Sequence, residues 1–152
     1  MIYVLTLLAT FIGMEGVSWL THKYVMHGFG WFLHKDHHHP HNNTFEKNDF
    51  FFLIFAIPSW LCIMLGFMND NLISAFIGFG ILMYGLTYVV VHEILIHQRI
   101  KRLTRTNHPY FKAIRYAHKI HHKNIHKEEG KCFGMLFVPI YYYKKALSEK
   151  QK

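Results

Sequence analysis

Three apolar runs, at residues 2–20, 50–68 and 72–91, dominate a chain of 152 residues, and Glu15 is the sole charge inside any of them. At about 1.5 Å of rise per residue, a helix of such a run covers the roughly 30 Å hydrocarbon core of a bilayer. The competing reading is a set of core helices in a water-soluble protein. Too little polar chain remains to cover three of them, because only 17% of the residues are charged, against about 25% in ordinary soluble domains. The same apolar content excludes a disordered chain. Three transmembrane helices are expected. Asn69-Asp70-Asn71 joins the second and third as a tight hairpin.

Charge orients the helices. The net charge is +8 with histidine neutral, and it is segregated. Of the 17 lysines and arginines, Lys23, Lys35 and Lys47 lie between the first and second runs, and all the others follow the third, from Arg99 to Lys152. The positive-inside rule then puts the N-terminus and the hairpin turn outside, with 21–49 and the C-terminal third in the cytoplasm. The basic charge reads as topology and contact with anionic lipid, and no nucleic-acid partner is expected. Met1 leads directly into apolar residues with no basic n-region, so no removable signal peptide is expected. Cys62 and Cys132 form no CxxC and support no disulfide framework.

After a polar stretch at 98–109, a helix is expected over 110–126. The apolar residues 132–143 are too few to span, so they suggest a short fourth element, re-entrant or interfacial. It ends in Tyr141-Tyr142-Tyr143-Lys144-Lys145, an aromatic belt with a basic anchor.

Histidine is the anomaly, at 14 residues. Ten fall into an alternating order of pair and triplet: His22 with His27, His34 with His37 and His38, His92 with His97, and His118 with His121 and His122. Both pairs close apolar runs, and the topology read from lysine and arginine places all ten on one membrane face as a histidine-rich helical cap. Positions i, i+3 and i+4 share a helix face, so His118, His121 and His122 can point at one site, and so can His34, His37 and His38 if that stretch is helical. The pairs are five apart, about 140° around an ideal helix. Either the second histidine lies past the helix end or the turn is widened. Gly28 as a C-cap favours the first option for His27, and His97 stays open. Neutral imidazole is a ligand for zinc, copper, iron and nickel. Ten are too many for one ion. Shared between two they provide five each, which leaves one position open on an octahedral ion such as iron.

The strings HKYVMH, HKDHH, HEILIH and HKIHH resemble the membrane-bound fatty acid hydroxylase and sterol desaturase superfamily. HKDHHHPH followed by FEKND, and HKIHH continuing into HKEEGKCFGMLFVP, resemble its bacterial β-carotene hydroxylases, from about Gly16 to Tyr142. The resemblance implies a non-haem di-iron oxygenase, one domain over 1–152 in a bacterial inner membrane. It implies O2-dependent hydroxylation of β-ionone rings at carbon 3, from β-carotene to β-cryptoxanthin to zeaxanthin. It carries the ten histidines over as ligands of two iron ions, with zinc as the ion a purified preparation can hold instead. Ferredoxin is the implied electron donor, since no Rossmann or P-loop fingerprint is present. Arg99, Lys101, Arg102, Arg105, Lys119 and Lys123 form a basic face that suits an acidic donor or, equally, lipid.

Several neighbours of the motifs are candidates for outer roles. Glu15, about 10 Å along the helix from His22, is an intramembrane carboxylate and functional by default, either as acceptor for a ligand histidine or as a contact between helices. Glu93 and Asp36 adjoin His92 and His37, and bound histidines usually donate their second N–H to such groups. His41 and His126 are spare candidates. Glu46 and Asp49 read as helix-start carboxylates, His39 and His108 as structural, and Pro58 as a kink. Phe50, Phe51, Phe52 and Phe55 are expected to face lipid or neighbouring helices rather than a substrate. Other readings are a fatty acyl or sterol enzyme of the same superfamily, and a membrane metal-binding protein or transporter. Transport is disfavoured because the histidines sit at one face, not at mid-membrane.

Overall fold

The computed structural model describes residues 1–39, 45–100, 106–128 and 130–148. Among these residues every regular element is helical and there is no strand. Helix α1 (Ile2–Leu20) continues through a widened turn to Phe29. A short helix α2 (Trp31–His34) runs into a 3₁₀ turn ending at His38. Helix α3 (Phe50–Met68) passes through Pro58, and α4 (Leu72–Tyr88) is extended by a second widened turn to Ile96. Helices α5 (Pro109–His122) and α6 (Ile140–Ser148) complete the chain.

Three of these helices are long and apolar enough to cross a membrane: Ile2–Phe29, Lys47–Met68 and Leu72–Ile96. Their outer faces carry exposed apolar side chains, Ile12 at 61% and Leu86 at 59% among them, a surface that lipid rather than water suits. The first is 28 residues long, about 42 Å, which exceeds the hydrocarbon core by about 10 Å. His22 and His27 occupy its C-terminal end.

Between helices the packing is close. A Cβ on Gly78 would come within 2.7 Å of the Ser59 carbonyl, and one on Gly80 within 2.8 Å of the Leu7 carbonyl. Only glycine at these two positions of α4 lets α3 and α1 lie so near, the usual way helices associate without a hydrophobic drive. The hairpin turn is built as expected. Asp70 takes φ 51, and the Asn71 side chain accepts the Ser74 amide at 3.2 Å. Pro109 starts α5 at its first turn, where a missing N–H costs nothing, and the helix stops at His122, short of the expected 126. Helix α6 packs on α5, with the Tyr116 and Tyr142 rings 5.7 Å apart and Lys145 Nζ donating to Tyr116 Oη at 2.5 Å.

Candidate metal centre

Both histidine pairs sit in widened, π-helical turns. The amide of His97 donates to the carbonyl of His92 at 2.9 Å, a bond between residues five apart. Such a turn stacks i over i+5 and is found chiefly at functional sites. The expectation that His27 lies past the helix end is therefore corrected. Gly28 does break the helix, with non-helical φ −103, ψ −124, but it does so after His27, and both histidines of the pair stay on the helix.

The triplets also depart from expectation. Neither points at one site. His34 and His38 join His22, His27 and His121 in one group, while His37 joins His97, His118 and His122 in another. Within each group the candidate ligand atoms lie within 4.8 Å of one another. Positions i and i+4 of each triplet thus serve one group, and i+3 serves the other. The exchange is reciprocal: the first triplet lends His37 to the second group, and the second triplet lends His121 to the first. His92 flanks the second group, with its ring 4.5 Å from that of His97 and 4.6 Å from that of His118.

Outer hydrogen bonds set the tautomers. In the first group every Nδ1 donates to a neutral oxygen. The acceptors are the carbonyls of Phe133 for His22 (3.0 Å), Lys127 for His27 (3.0 Å), Asn124 for His38 (2.9 Å) and Lys131 for His121 (2.9 Å), with Asn48 Oδ1 for His34 (2.6 Å). A neutral imidazole has one N–H, so each Nε2 is left with a bare lone pair. These lone pairs converge. Nε2 of His34 lies 3.2 Å from that of His22 and 3.1 Å from that of His38, and His27 and His121 meet at 3.3 Å.

Lone pairs facing at such distances repel unless a cation sits among them. Protons are poor candidates, because burial pushes the pKa of His34 down to about 2, of His121 to about 3 and of His38 to about 4. The donor set therefore fits a metal ion. In the second group His97 and His118 approach to 2.9 Å and His118 and His122 to 2.8 Å. His37 Nε2 is buried with no hydrogen-bond partner, which again fits a ligand atom. Burial holds the His97 pKa at about 4 and that of His122 at about 2.

Carboxylates bond His37 of this group and the flanking His92. His37 Nδ1 donates to Glu46 at 2.5 Å and His92 Nδ1 to Glu93 at 2.6 Å. Arg99 ties these acids together, 2.7 Å from Glu93, 3.0 Å from Glu46 and 3.4 Å from Asp49. Glu93 thus bonds the histidine next to it in sequence. Glu46 and Asp49 start a helix as expected, in a shared capping box, and Glu46 in addition accepts His37. Arg99 thus faces these acids while its side chain stays 31% exposed. Asp36 does not bond His37; it accepts the Lys47 amide at 2.7 Å. Glu15 bonds no histidine but Tyr84 Oη and three backbone amides. His126 is exposed and belongs to neither group. His39 donates to the Lys35 carbonyl and His108 precedes α5, both structural as expected. His41, Lys101, Arg102 and Arg105 lie outside the described residues.

Three cavities meet the centre. An apolar one of about 470 Å³ is lined by Phe51, Phe52 and Phe55, so these rings do face a cavity. A narrow gap of about 20 Å³ lies between the groups, lined by His22, His34, His37, His92 and His118. Ser18, Met26 and Tyr88 line both, so the apolar cavity leads to the imidazoles. A third, about 530 Å³ and polar, opens beside His37, His97 and His122. Sequence reasoning missed Asn48 and the four backbone acceptors. The segment KEEGKC was noticed only as part of the resemblance.

Comparison with known proteins agrees with this geometry. The fatty acid hydroxylase family profile matches residues 7–141. A β-carotene hydroxylase of Pantoea ananas is 41% identical over 135 residues, covering 89% of this chain and 77% of the relative. One from Pseudescherichia vulneris is 36% identical over 134 residues, 88% and 76% of the two chains. A chloroplastic β-carotene 3-hydroxylase of Haematococcus lacustris is 37% identical over 133 residues, 84% of this chain and 41% of that one. No solved structure matches. The chain belongs to the fatty acid hydroxylase family of oxygenases, and within it is similar to β-carotene hydroxylases of bacteria and plants.

Proposed function

We propose that this chain is a β-carotene 3-hydroxylase that uses two iron ions, O2 and electrons from a separate protein. One observation carries the reading: two groups of buried and half-buried, neutral imidazoles converge at the end of an apolar cavity large enough for a terpenoid ring. The names of the relatives supply the substrate class. His22, His27, His34, His38 and His121 hold one ion. His37, His97, His118 and His122 hold the other, with His92 as its fifth ligand.

Each turnover converts a ring C–H and O2, with two electrons and two protons, into C–OH and H2O. The iron ions, when bound, supply the activation of O2. The protein's part is placement. Phe51, Phe52 and Phe55 receive the apolar ring, and Ser18, Met26 and Tyr88 admit it to the gap between the groups. The polyene lies among the membrane helices, so the substrate never leaves lipid. Water and protons reach the centre through the polar opening beside His97 and His122. Zinc competes for the same imidazoles in purified protein.

The chain is read as one domain over 1–152 in a bacterial inner membrane, N-terminus outside and histidine cap cytoplasmic. Helix α6 lies at the cytoplasmic interface, where exposed Ile140 and Tyr141 enter lipid. Exposed Lys119 and Lys123 dock an acidic donor of the ferredoxin kind, so turnover falls steeply with salt.

The test is pigment mass under ¹⁸O2 in cells that make β-carotene and express the chain. Pigments heavier by one and two labelled oxygens, lost in His121→Ala, are the expected result. Unchanged β-carotene, with the protein in the membrane and a ferredoxin system supplied, would contradict the substrate assignment and turn attention to acyl or sterol substrates.

A further inference from the structure

Glu15 is 6% exposed, deep in the first membrane-spanning helix. An unpaired carboxylate there is costly, and here it is fully engaged. Its Oε2 accepts Tyr84 Oη at 2.7 Å. Its Oε1 accepts three consecutive amides, of Met135 at 2.9 Å, Leu136 at 2.8 Å and Phe137 at 3.0 Å. One oxygen thereby clamps the chain between α5 and α6.

That chain carries the acceptors of the first histidine group. Lys131 presents its carbonyl to His121 and Phe133 presents its own to His22. The Phe133 ring also lies 5.4 Å from His22, 5.2 Å from His27 and 5.4 Å from His121. Gly134 separates the acceptors from the clamp. A Cβ there would stand 2.6 Å from the Phe137 carbonyl oxygen and 3.3 Å from Glu15 Oε1, so a side chain would push the segment off the carboxylate. On the other side of the centre, His37 and the flanking His92 take their acceptors from Glu46 and Glu93 instead.

We infer that Glu15 is a positioning residue for the first metal site alone, acting through the clamped segment that fixes the tautomers of His22 and His121. The inference rests on the two-metal reading above. Removing the clamp frees those carbonyls, lets the imidazoles turn, and weakens one ion while sparing the other. Outer partners of metal-bound histidines are typically worth about 10–100-fold in affinity.

The experiment is metal content per folded chain after loading with ferrous ion and exchange against a chelator, with melting temperature recorded beside it. The unaltered protein is expected to retain two ions. Glu15→Ala and Gly134→Ala retain one. Glu15→Gln, which keeps an oxygen for the amides, retains between one and two, and Tyr84→Phe, which leaves the clamp whole, retains two. Glu46→Gln is the reciprocal control: it loses the other ion, and combined with Glu15→Gln it lowers the content further. Two ions kept in both alanine variants would overturn the inference, as would equal loss of both ions with a lowered melting temperature in Gly134→Ala and Glu15→Gln. Fewer than two ions in the unaltered protein would overturn the two-metal reading, and this inference with it.

Discussion

The two histidine groups use the same ligand type and are held by opposite means. The first is ringed by neutral oxygens, four of them backbone carbonyls. At the second, His37 and the flanking His92 bond Glu46 and Glu93, which are bound in turn by Arg99. A carbonyl fixes a tautomer and orients a ring. A carboxylate does this too, and also draws the imidazole proton toward itself, making the ring a stronger donor. The first site is therefore set by where the chain runs, and the second by charge. Their coupling comes from the triplets, each of which grips both sites.

The sharpest way to break this comparison is to exchange the lent histidines. His121→Ala and His37→Ala should each lower hydroxylation by more than about 100-fold, beyond the range for outer partners. Metal analysis should show His121→Ala emptying the first site, although the residue sits beside His122 of the second. His37→Ala should do the reverse. Loss of the same ion from both variants would contradict the reciprocal assignment.

Next in size are the outer acceptors. Glu46→Gln should weaken the second ion by about 10–100-fold, and Asn48→Ala should weaken the first toward the lower end of that range. Chelator titration reads both. An equal effect of each variant on both ions would remove the distinction between the groups.

Acid should unfold the metal-free protein. His34, His38, His97, His121 and His122 are all held by burial below the ordinary value of about 6.5. Between that value and about 4 for His38 and His97, the unfolded chain binds protons that the folded one does not. Stability is thus full above about pH 6.5 and falls as pH drops through this window, continuing toward about 2 for His34 and His122. Thermal melting of metal-free protein across pH 4–7 checks the sign; bound metal should suppress the fall. The smallest effect is expected from Arg99→Gln. The Arg99 side chain is 31% exposed, so its loss should weaken the second ion by up to about fivefold and leave the first unchanged.

Much of this was legible in the sequence because it depends on local pattern. The three spans follow from run length, and the hairpin from Asn69-Asp70-Asn71. The ten histidines stand out by spacing. The geometry of the site was less legible. Whether residues five apart stack depends on an i+5 hydrogen bond, which HEILIH and HKYVMH do not announce. The split of each triplet depends on a second site beside the first, which the spacing alone does not show. Backbone acceptors are invisible in principle, since any residue at 124, 127, 131 or 133 offers the same carbonyl. Glu46 read as a helix-start acid because its contact with His37 is made across a turn. Arg99 counted as surface charge until its three acids were seen around it.

The most direct test of the central claim is anomalous scattering at the iron edge from crystals of the ferrous-loaded protein. Two peaks are expected, one among His22, His27, His34, His38 and His121 and the other among His37, His97, His118 and His122, with His92 directed at the second. A single peak in the gap shared by His22, His34, His37, His92 and His118 would contradict two separate sites.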